Sequence, residues 1–445
     1  MAIVGLGPTG ATLANLLGRA GVRTVVYERS LAPHPLPRAC HLDAEIARVL
    51  QGLGFEDELA DLLTLSAGME YVGPDGERLF TFEGFEREPL LGWREDYVFL
   101  QPELDELLRR GIRRYPSVSV RLGTDAPALA DIPARYVVAC DGAHSEVRDA
   151  AGIGVVDLGY DEDWLVVDVA LHRDVPLPTI IQQVADPRRP ATFVPSHRNQ
   201  RRWELRAQPG EDLAQLAEPA TVWSLLSRWG IGPGDGELVR AATYRFHAMV
   251  AERWRAGPVL LAGDAAHQMP PFMGQGLCSG LRDAVNLGWK LVTVLRDEAG
   301  DALLDSYEAE RRPHAEAVIA LSVQAGQLLN DLSAALAAGI APALPEPDRP
   351  DPLRWSRLPG LPLGGLFPVG HLVPQPRVDG RRLDDLLGEG WAVVAADPVP
   401  TPPHVPCVVA PEATYGEHAL LVRPDRYVAA VLDATGLTAL PLPPA

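Results

Sequence analysis

The sequence contains few cysteines, and none of them has the spacing of a metal site or a redox pair. Among 445 residues the cysteines are Cys40, Cys140, Cys278 and Cys407, and no CxxC motif occurs. A disulfide framework or a structural zinc site is therefore not expected, and we predict no bound metal. The GxSxG motif is also missing, so a nucleophilic serine of that kind is not predicted.

Positive charge is scarce as well. The chain has 40 Lys and Arg residues against 59 Asp and Glu residues, which gives a net charge of −19 and a pI near 5.0. A nucleic-acid partner would need a basic face, and an anionic membrane surface would repel this charge. No apolar run approaches the ~18 residues that a membrane span needs, and no basic segment precedes the first apolar residues. We therefore expect a cytoplasmic protein with neither partner.

The length predicts two to four domains, since one domain takes about 100–200 residues. Apolar runs, helical periodicity and turn residues divide the chain into alternating strands and helices. We predict strands at 2–6, 22–28, 135–142 and 259–263, sheet at 68–100 and 155–210, helices at 11–21, 40–65, 101–114, 219–229 and 275–340, a proline-rich linker from 341, and a small α/β unit at the end.

The first motif with chemical meaning is GLGPTG at residues 5–10, which fits GxGxxG between a strand and a helix. Its first glycine permits a tight turn, the second lets the backbone approach a pyrophosphate, and the third lets the helix pack closely on the strand. Glu28 ends the next strand, where its carboxylate would accept hydrogen bonds from a ribose. The motif predicts a dinucleotide site, with an ordinary glycine-rich turn as the alternative.

The second motif lies in LLAGDAAHQMPPFMGQGLCSGLRDAVNLGWKL, residues 260–291, which begins as a strand and ends as a helix. Asp264 follows the strand, so it would face the ligand crevice and bind ribityl or ribose hydroxyls. We expect His267 to be structural, with a functional role as the alternative. Pro270 and Pro271 impose an extended backbone, and the helix opened by residues 274–276 would stabilise negative charge such as that of a reduced flavin. The stretch therefore predicts a cradle for an isoalloxazine ring.

Taken together, these motifs resemble the single-component FAD-dependent aromatic hydroxylases with the p-hydroxybenzoate hydroxylase fold. The resemblance covers roughly residues 1–335 and also includes CDGAHSEVR at 140–148 and LLDSYEAERRPHA at 303–315. DPRRPATFVP and RRWEL are similar to the 3-(3-hydroxyphenyl)propionate hydroxylases. VPQP, RLDDLLG and RPDRYVA resemble the thioredoxin-like tail of that subgroup and of polyketide-tailoring hydroxylases.

The resemblance implies an α/β architecture: a Rossmann-type FAD-binding domain, an inserted β-sheet substrate domain, a helical segment and a C-terminal thioredoxin-like domain. The implied boundaries are 1–155 and 246–340 for the two parts of the FAD-binding domain, 156–245 for the substrate domain, 341–370 for the linker and 371–445 for the C-terminal domain. The first part also carries strands of the substrate region near 68–100. Because the last domain lacks CxxC, we expect it to serve packing or oligomer contact rather than redox chemistry.

The expected cofactors are FAD and either NADH or NADPH. The residues expected to bind FAD are Gly5, Gly7, Pro8, Thr9, Gly10, Glu28, Arg29, Arg38, Gln101, Asp141, Asp264, Pro271, Gly274, Gln275, Gly276 and Leu277. One departure from the family pattern is the short segment DAPALADIPA at 125–134, where two or three strands are usual.

The resemblance implies that reduced FAD adds O₂ at C4a and that the hydroperoxyflavin hydroxylates a phenol. Pro270, Gly274 and Gly276 would line the oxygen site. The candidate substrate contacts are His41, Arg206, Tyr244, His247, Phe272 and Met273. Tyr244 and Phe272 are equally compatible with core packing, and Arg206 with a solvent-facing position.

Several alternatives stay open from the sequence. The substrate is a small phenol, such as a 3-(3-hydroxyphenyl)propionate-like acid, or a polyketide or antibiotic. A dehydrogenase or epoxidase would use the same cradle, and a flavin-bearing protein that only sequesters its ligand is the alternative of another class. Halogenation is disfavoured because no WxWxIP-like segment occurs. A homodimer is the candidate assembly.

Overall fold

The protein has a mixed α/β fold. A computed structural model describes residues 1–82, 89–341, 344, 369–414 and 418–432. The strands are β1 (Ala2–Val4), β2 (Thr24–Glu28), β3 (His41–Asp43), β4 (Thr64–Leu65), β5 (Met69–Val72), β6 (Arg78–Phe82), β7 (Asp96–Val98), β8 (Val118–Leu122), β9 (Val137–Ala139), β10 (Val155–Leu171), β11 (Ile181–Val184), β12 (Ala191–Val194), β13 (Gln200–Arg206), β14 (Gly236–Ala251), β15 (Arg255–Ala256), β16 (Val259–Leu261), β17 (His267–Gln268), β18 (Arg377–Val378), β19 (Arg381–Arg382), β20 (Ala392–Ala395), β21 (Cys407–Val409), β22 (Ala419–Val422) and β23 (Val428–Leu432).

Ten α-helices lie between groups of strands in the described part of the chain. They are α1 (Pro8–Arg19), α2 (Ala44–Gly52), α3 (Glu56–Leu62), α4 (Gln101–Ile112), α5 (Glu146–Ala150), α6 (Leu213–Leu216), α7 (Pro219–Leu226), α8 (Gly276–Leu295), α9 (Asp305–Ala337) and α10 (Leu383–Leu387). Short 3-10 turns occur at Leu129–Asp131, Ser227–Trp229, Gly263–Ala265, Pro271–Met273, Asp301–Leu304 and Pro411–Ala413.

A six-stranded sheet with the order β15-β16-β9-β1-β2-β8 carries the glycine-rich loop. All of its neighbouring strands are parallel except β15 and β16. Its central strand β1 is buried along its whole length, as expected for a parallel strand covered on both faces. The βαβ unit formed by β1, α1 and β2 confirms the secondary structure predicted for the start of the chain.

An eight-stranded sheet with the order β17-β14-β10-β13-β12-β11-β5-β6 lies beside the first. Along β13 the side chains alternate between its two faces, because successive side chains of a strand point to opposite sides. Trp203 and Leu205 pack with Phe193 in a hydrophobic core on one face. Arg202 and Glu204 lie on the other face, toward a large cavity.

Helices α8 and α9 brace both sheets. Gly288 of α8 packs on α1, and a Cβ atom there would lie 3.1 Å from Cδ1 of Leu16. Gly326 of α9 packs on Phe272, and a Cβ atom there would lie 2.4 Å from Cε2 of that ring. Close helix packing at these two glycines therefore holds the second motif between the sheets.

The C-terminal segment forms a four-stranded sheet with the order β21-β20-β22-β23, in which only β20 and β21 are parallel. Buried ion pairs attach it to the rest of the chain. Arg48 of α2 binds Asp384 at 2.7 Å, and Arg423 binds Glu310 of α9 at 2.8 Å. The segment is thus docked through desolvated charges.

Three predictions about secondary structure need correction or lie outside the described chain. The first helix begins at Pro8 rather than residue 11, because proline suits the first helical position. Residues 41–43 and 64–65 are strands rather than parts of a helix, and the Asp43 carboxylate accepts a hydrogen bond from Ile46 N at the start of α2. Most of the predicted linker at 341–370 lies outside the described residues, and the domain boundaries stay predictions.

Among the described helices, none has the length and apolar character needed to cross a membrane.

Candidate active site

One cavity of about 1240 Å³ joins the two motifs found in the sequence. It extends from the glycine-rich loop of the six-stranded sheet to the polar face of the eight-stranded sheet. Ligand sites usually measure about 300–1,000 Å³, so this volume can hold a large cofactor and a substrate together. Its lining includes all the sequence-predicted site residues except Gly10 and Arg206.

The glycine-rich loop owes its shape to close backbone contacts. Gly5 has φ +96°, and a Cβ atom there would lie 2.3 Å from the carbonyl oxygen of Cys140. A Cβ atom on Gly10 would lie 2.1 Å from the carbonyl oxygen of Gly5. Gly10 therefore acts inside the loop, away from the cavity. Around Gly7, in contrast, a Cβ atom would meet nothing within 4 Å, which leaves open space for a ligand at the start of α1.

Glu28 holds the same loop in place. Its Oε2 atom accepts a hydrogen bond from the backbone N–H of Leu6 at 2.7 Å, and its Oε1 atom accepts one from Ser30 N at 2.8 Å. Arg29 follows it on the cavity lining. A carboxylate has about four acceptor positions, so Glu28 can still bind a ribose hydroxyl.

The predicted contacts Arg38 and Gln101 meet where the backbone segment 37–39 runs along the cavity. Oε1 of the buried Gln101 accepts hydrogen bonds from the backbone N–H groups of Arg38 and Ala39, at 3.1 and 2.7 Å. Arg202 donates to the carbonyl oxygens of Pro37 and Arg38 from the other side. With its backbone held on both sides, Arg38 lines the cavity, where the charge of its side chain suits a phosphate.

Asp141 both lines the cavity and caps the short helix α5. Its two carboxylate oxygens accept hydrogen bonds from the Ser145 hydroxyl at 2.5 Å and from Val147 N at 3.1 Å. The neighbouring Gly142 has φ +88°, which permits the turn out of β9. The motif at 140–148 is therefore a rigid corner of the cavity wall.

The acid and histidine of the second motif do not pair with each other as a catalytic couple. His267 is buried and its Nε2 atom lies 2.7 Å from Oδ2 of Asp283, which also accepts from Gly263 N at 3.0 Å. Oδ1 of Asp283 accepts from Arg311 Nε at 2.9 Å. These partners, together outweighing the effect of burial, lower the pKa of Asp283. Asp264 opens into the cavity and makes no side-chain hydrogen bond to any described residue. It is free to bind a ligand hydroxyl, whereas His267 is structural.

The loop before α8 is shaped by a left-handed glycine. Gly274 has φ +63°, and a Cβ atom there would lie 2.6 Å from Nδ1 of His41. Pro270, Pro271, Met273, Gly276 and Leu277 line the cavity along this loop. Gln275, buried at the start of the helix, donates from Nε2 to Asp43 at 3.1 Å and accepts from Arg282 Nη1 at 2.8 Å. The hydrogen bonds of Gln275 to Asp43 and Arg282 therefore hold the start of helix α8 in place.

His41 faces this loop and forms an ion pair with Asp96. Burial works against its charge, but the hydrogen bond and ion pair with Asp96 raise the pKa of His41 well above its ordinary value. Its Nδ1 atom lies 3.4 Å from the carbonyl oxygen of Gly274. This shift favours the protonated form of an imidazole that lies beside the predicted oxygen site. The sequence did not indicate Asp96, which lies 55 residues away on β7.

The other predicted substrate contacts have mixed positions. Tyr244 and His247 line the cavity on β14. Phe272 lines it too, but it is only 5% exposed and packs edge-on against Trp164 with ring centroids 5.3 Å apart. Arg206 must be corrected: it lies outside the cavity, because its guanidinium binds Glu162 at 3.1 Å and Asn330 at 3.0 Å.

The sequence reasoning missed a polar row on the cavity face of the eight-stranded sheet. Gln183, Thr192 and Glu204 lie directly opposite one another on β11, β12 and β13. All three are buried and line the cavity. The alternation in RRWELR was the available signal, since the apolar Trp203 and Leu205 mark the core face and leave Glu204 on the other.

The cavity fits FAD by three independent observations. The open space at Gly7 lies at a helix N-terminus, where phosphates bind. Asp264 has unused acceptors for the ribityl hydroxyls. The helix start at Gly276 presents N–H groups at the far end, where negative flavin charge would develop. A parallel sheet with this loop and a second glycine-opened helix defines a flavin-binding oxidoreductase.

Comparison with known proteins gives the same class. A family model described as "FAD binding domain" matches residues 1–131 and 127–322. The chain is 38% identical over 426 residues to the "Probable NADH-specific resorcinol 4-hydroxylase" of Rhodococcus jostii (strain RHA1), covering 89% of this chain and 79% of that protein. It is 36% identical over 432 residues to the "3-(3-hydroxy-phenyl)propionate/3-hydroxycinnamic acid hydroxylase" of Burkholderia cenocepacia (strain HI2424), covering 88% and 78%.

Among solved structures, the fold matches aklavinone-11 hydroxylase in its ternary complex with FAD and aklavinone. The TM-score is 0.78 at 24% identity, covering 97% of this chain and 95% of that one. At this identity the likeness concerns the fold alone. The family match and the two curated relatives decide the class: the chain belongs to the FAD-binding-domain family of flavoprotein monooxygenases.

Proposed function

We propose that this protein is an FAD- and NAD(P)H-dependent monooxygenase that hydroxylates the ring of a small phenol. The observation that carries the proposal is the single cavity that runs from the glycine-rich loop to the polar row Gln183–Thr192–Glu204. A cofactor held at the loop would end beside a substrate held at the row. Its relatives act, by name, on resorcinol and on 3-(3-hydroxyphenyl)propionate, which are both phenols.

FAD would be held at both ends by the residues described above. The loop at 5–10, Glu28, Arg29, Arg38 and Gln101 suit its nucleotide half. Asp141, Asp264 and the segment 271–277 suit the ribityl chain and the ring. When bound, the flavin supplies electron transfer from NADH or NADPH and delivers one oxygen atom of O₂ to the phenol.

The protein's own groups would orient the substrate and exclude water. Phe272 packs edge-on against Tyr160 and Trp164, which closes an apolar wall behind the loop at 270–276. Water exclusion strengthens the electrostatic interactions within the site. The N–H groups at the start of α8 would stabilise negative charge, and His41 beside Gly274 would add to that effect in its protonated form. No side-chain nucleophile takes part in this scheme.

The finer architecture belongs to the same proposal. The parallel order around β1 supports a Rossmann-type assignment for the six-stranded sheet. The mixed sheet β21-β20-β22-β23 supports a thioredoxin-like assignment for the C-terminal segment, which would serve packing rather than redox exchange. A homodimer and a cytoplasmic location stay predictions.

The test is substrate-stimulated oxidation of the nicotinamide cofactor. Purified protein reconstituted with FAD is given NADH or NADPH, O₂ and a series of phenols, and product is identified by mass spectrometry. We expect a phenol to accelerate NAD(P)H oxidation and to gain one oxygen atom. Tight FAD and phenol binding without any acceleration would support the ligand-sequestering alternative instead.

A further inference from the structure

The charged groups of the substrate half of the cavity differ in whether they already have partners. The eight-stranded sheet contributes four side chains that can be cationic to the cavity lining: Arg202, Arg245, His247 and His267. Each has a carboxylate within 4 Å. Arg202 binds Asp168 at 2.8 Å and Arg245 binds Asp163 at 2.9 Å. His247 lies 3.5 Å from Asp161, and His267 lies 2.7 Å from Asp283. A bound aryl carboxylate would find no unpaired cation on this sheet.

Glu204 has an arginine nearby but differs from these groups in its hydrogen bonding. It lines the cavity at 7% exposure, and its carboxylate makes no hydrogen bond to any described residue. The nearest cationic atom is Arg202 Nη1, at 4.0 Å from Oε1, which is beyond hydrogen-bond distance. Buried polar groups are nearly always hydrogen-bonded, so an unpartnered carboxyl group aimed into a cavity indicates a ligand donor.

The neighbours of Glu204 in the row extend this acceptor into a polar surface. The Thr192 hydroxyl donates to Gln183 Oε1 at 2.7 Å, which fixes the amide orientation. The Gln183 amide Nε2 then faces Met69 Sδ at 3.7 Å, a weak acceptor that leaves donor capacity for a ligand. Adjacent strands lie about 4.8 Å apart, so the three-strand row extends over roughly 10 Å, which is enough for an aromatic ring together with its substituents.

We infer that Glu204, supported by Gln183 and Thr192, accepts a hydrogen bond from a ring hydroxyl of a neutral, resorcinol-like diol, and that the site disfavours aromatic carboxylates. This inference deepens the proposed function and rests on it. A second ring hydroxyl gives Glu204 the donor that it lacks. A substrate carboxylate would instead bring a second negative charge beside a buried acid, on a sheet whose cavity-lining cations already have carboxylate partners.

Burial raises the pKa of the Glu204 carboxyl, while Arg202 and Arg240 act against this rise. Both protonation states suit a hydroxyl ligand, since the neutral acid can donate and accept. The ionised state repels a carboxylate ligand, which can only accept hydrogen bonds, whereas the neutral acid can donate to one. The preference for a neutral ring is therefore strongest where Glu204 is ionised, and it weakens as Glu204 becomes protonated.

The test measures ligand binding to the oxidised holoenzyme through the change in flavin absorption. Resorcinol, phenol and 3-(3-hydroxyphenyl)propionate are titrated into the wild type and into Glu204→Gln. We expect the wild type to bind resorcinol at least about tenfold more tightly than the other two ligands. Glu204→Gln keeps an amide oxygen as acceptor but removes the charge that strengthens the hydrogen bond, so resorcinol binding should weaken about tenfold. Binding of the arylpropionate should stay unchanged or improve.

Glu237→Gln is the matched control, because it makes the same chemical change on an exposed position of β14 in the same sheet. It should bind all three ligands as the wild type does. If Glu204→Gln fails to retain FAD, Glu204→Asp decides the question. The shorter side chain keeps the charge but withdraws the acceptor, so the preference for resorcinol over phenol should fall several-fold.

The inference is overturned if the wild type prefers the arylpropionate, or if Glu204→Gln weakens all three ligands equally. Other outcomes distinguish a failure of the proposed function from a failure of this inference. If resorcinol binds with the expected preference but does not accelerate NAD(P)H oxidation, the hydroxylase proposal is wrong and the binding inference stands. If phenols are hydroxylated but the ligand ratios do not respond to Glu204, the reverse holds.

Discussion

The Tyr427 hydroxyl donates a hydrogen bond to Oε1 of Glu45 at 2.7 Å, across the boundary between the C-terminal sheet and helix α2. Oε2 of Glu45 accepts from Arg282 Nε at 2.6 Å, and Arg282 also donates to Gln275 at the cavity. The C-terminal segment therefore reaches the cavity loop before α8 through the buried side chains of Glu45, Arg282 and Gln275.

This chain of hydrogen bonds predicts that Tyr427→Phe destabilises the protein. Removing one partner of a buried hydrogen bond costs about 1–3 kcal/mol, so the free energy of unfolding should fall by that amount. Urea unfolding of the holoprotein measures it. Tyr115→Phe is the control, because the Tyr115 hydroxyl makes no hydrogen bond within the described part of the chain and its loss should change little. Equal stability of Tyr427→Phe and wild type would contradict the role of Tyr427.

The glycine-rich loop predicts a strong effect of Gly10→Ala on FAD binding. The added Cβ atom would lie 2.1 Å from the Gly5 carbonyl oxygen, so α1 must move away from the loop. We expect FAD affinity to fall at least about tenfold, equivalent to 1.4 kcal/mol. Flavin content after gel filtration and an FAD titration of the apoprotein provide the measurement.

Gly52→Ala is the matched control for Gly10→Ala. It lies at the end of α2, where a Cβ atom would meet nothing within 4 Å. This variant should bind FAD normally and gain up to about 1 kcal/mol of stability from helix propensity. A Gly10→Ala protein with normal FAD affinity would show that the loop tolerates a displaced helix.

Replacing Asp283 by Asn should lower the stability of the protein, whereas replacing Asp264 by Asn should weaken FAD binding. Asp283→Asn removes the carboxylate that binds both His267 and Arg311 in the interior, and breaking such a buried pair costs roughly 3–5 kcal/mol. Asp264→Asn should leave apoprotein stability within about 0.5 kcal/mol, because Asp264 has no partner among the described residues. It should weaken FAD binding instead. Unfolding curves and FAD titrations of both variants separate the two roles, and an unfolding loss confined to Asp264→Asn would reverse the assignment.

Asp105 predicts a pH-dependent stability. Burial raises its pKa to about 6, although Gln101 and Arg109 oppose the rise. The unfolded carboxyl titrates near about 3.9, so the cost of charging Asp105 is absent below that pH, grows as pH rises to about 6, and is constant above. Asp105→Asn removes this cost and should stabilise the protein at neutral pH by roughly 3 kcal/mol.

The measurement for Asp105 is urea unfolding between about pH 4 and about pH 8 at one fixed FAD concentration, because bound ligand adds its own stabilisation. Asp331→Asn, on an exposed position of α9, is the control and should follow the wild type at every pH. A stabilisation by Asp105→Asn that is independent of pH would not come from the titration of this group.

Much of the cavity lining at the candidate cofactor site could be predicted from local sequence. Gly5, Gly7 and Gly10 are recognisable because a turn between strand and helix restricts which residues fit within six positions. The same reasoning located the helix opened at Gly276. Arg206 was misplaced because alternation along β13 predicts a face of the sheet but not where along the strand the cavity ends.

The sequence by itself determined the elements whose causes lie within a few residues: the βαβ start, the glycine-opened helices and the acid at the end of β16. Only the tertiary structure decided which charges meet, as in His267 with Asp283 and His41 with Asp96. It also decided which cavity acid lacks a hydrogen bond to any described residue, as in Glu204. The physical reason is the separation along the chain over which each kind of interaction acts. Backbone geometry acts between neighbours in the chain, whereas ion pairing and burial depend on strand register and helix packing between segments far apart in sequence.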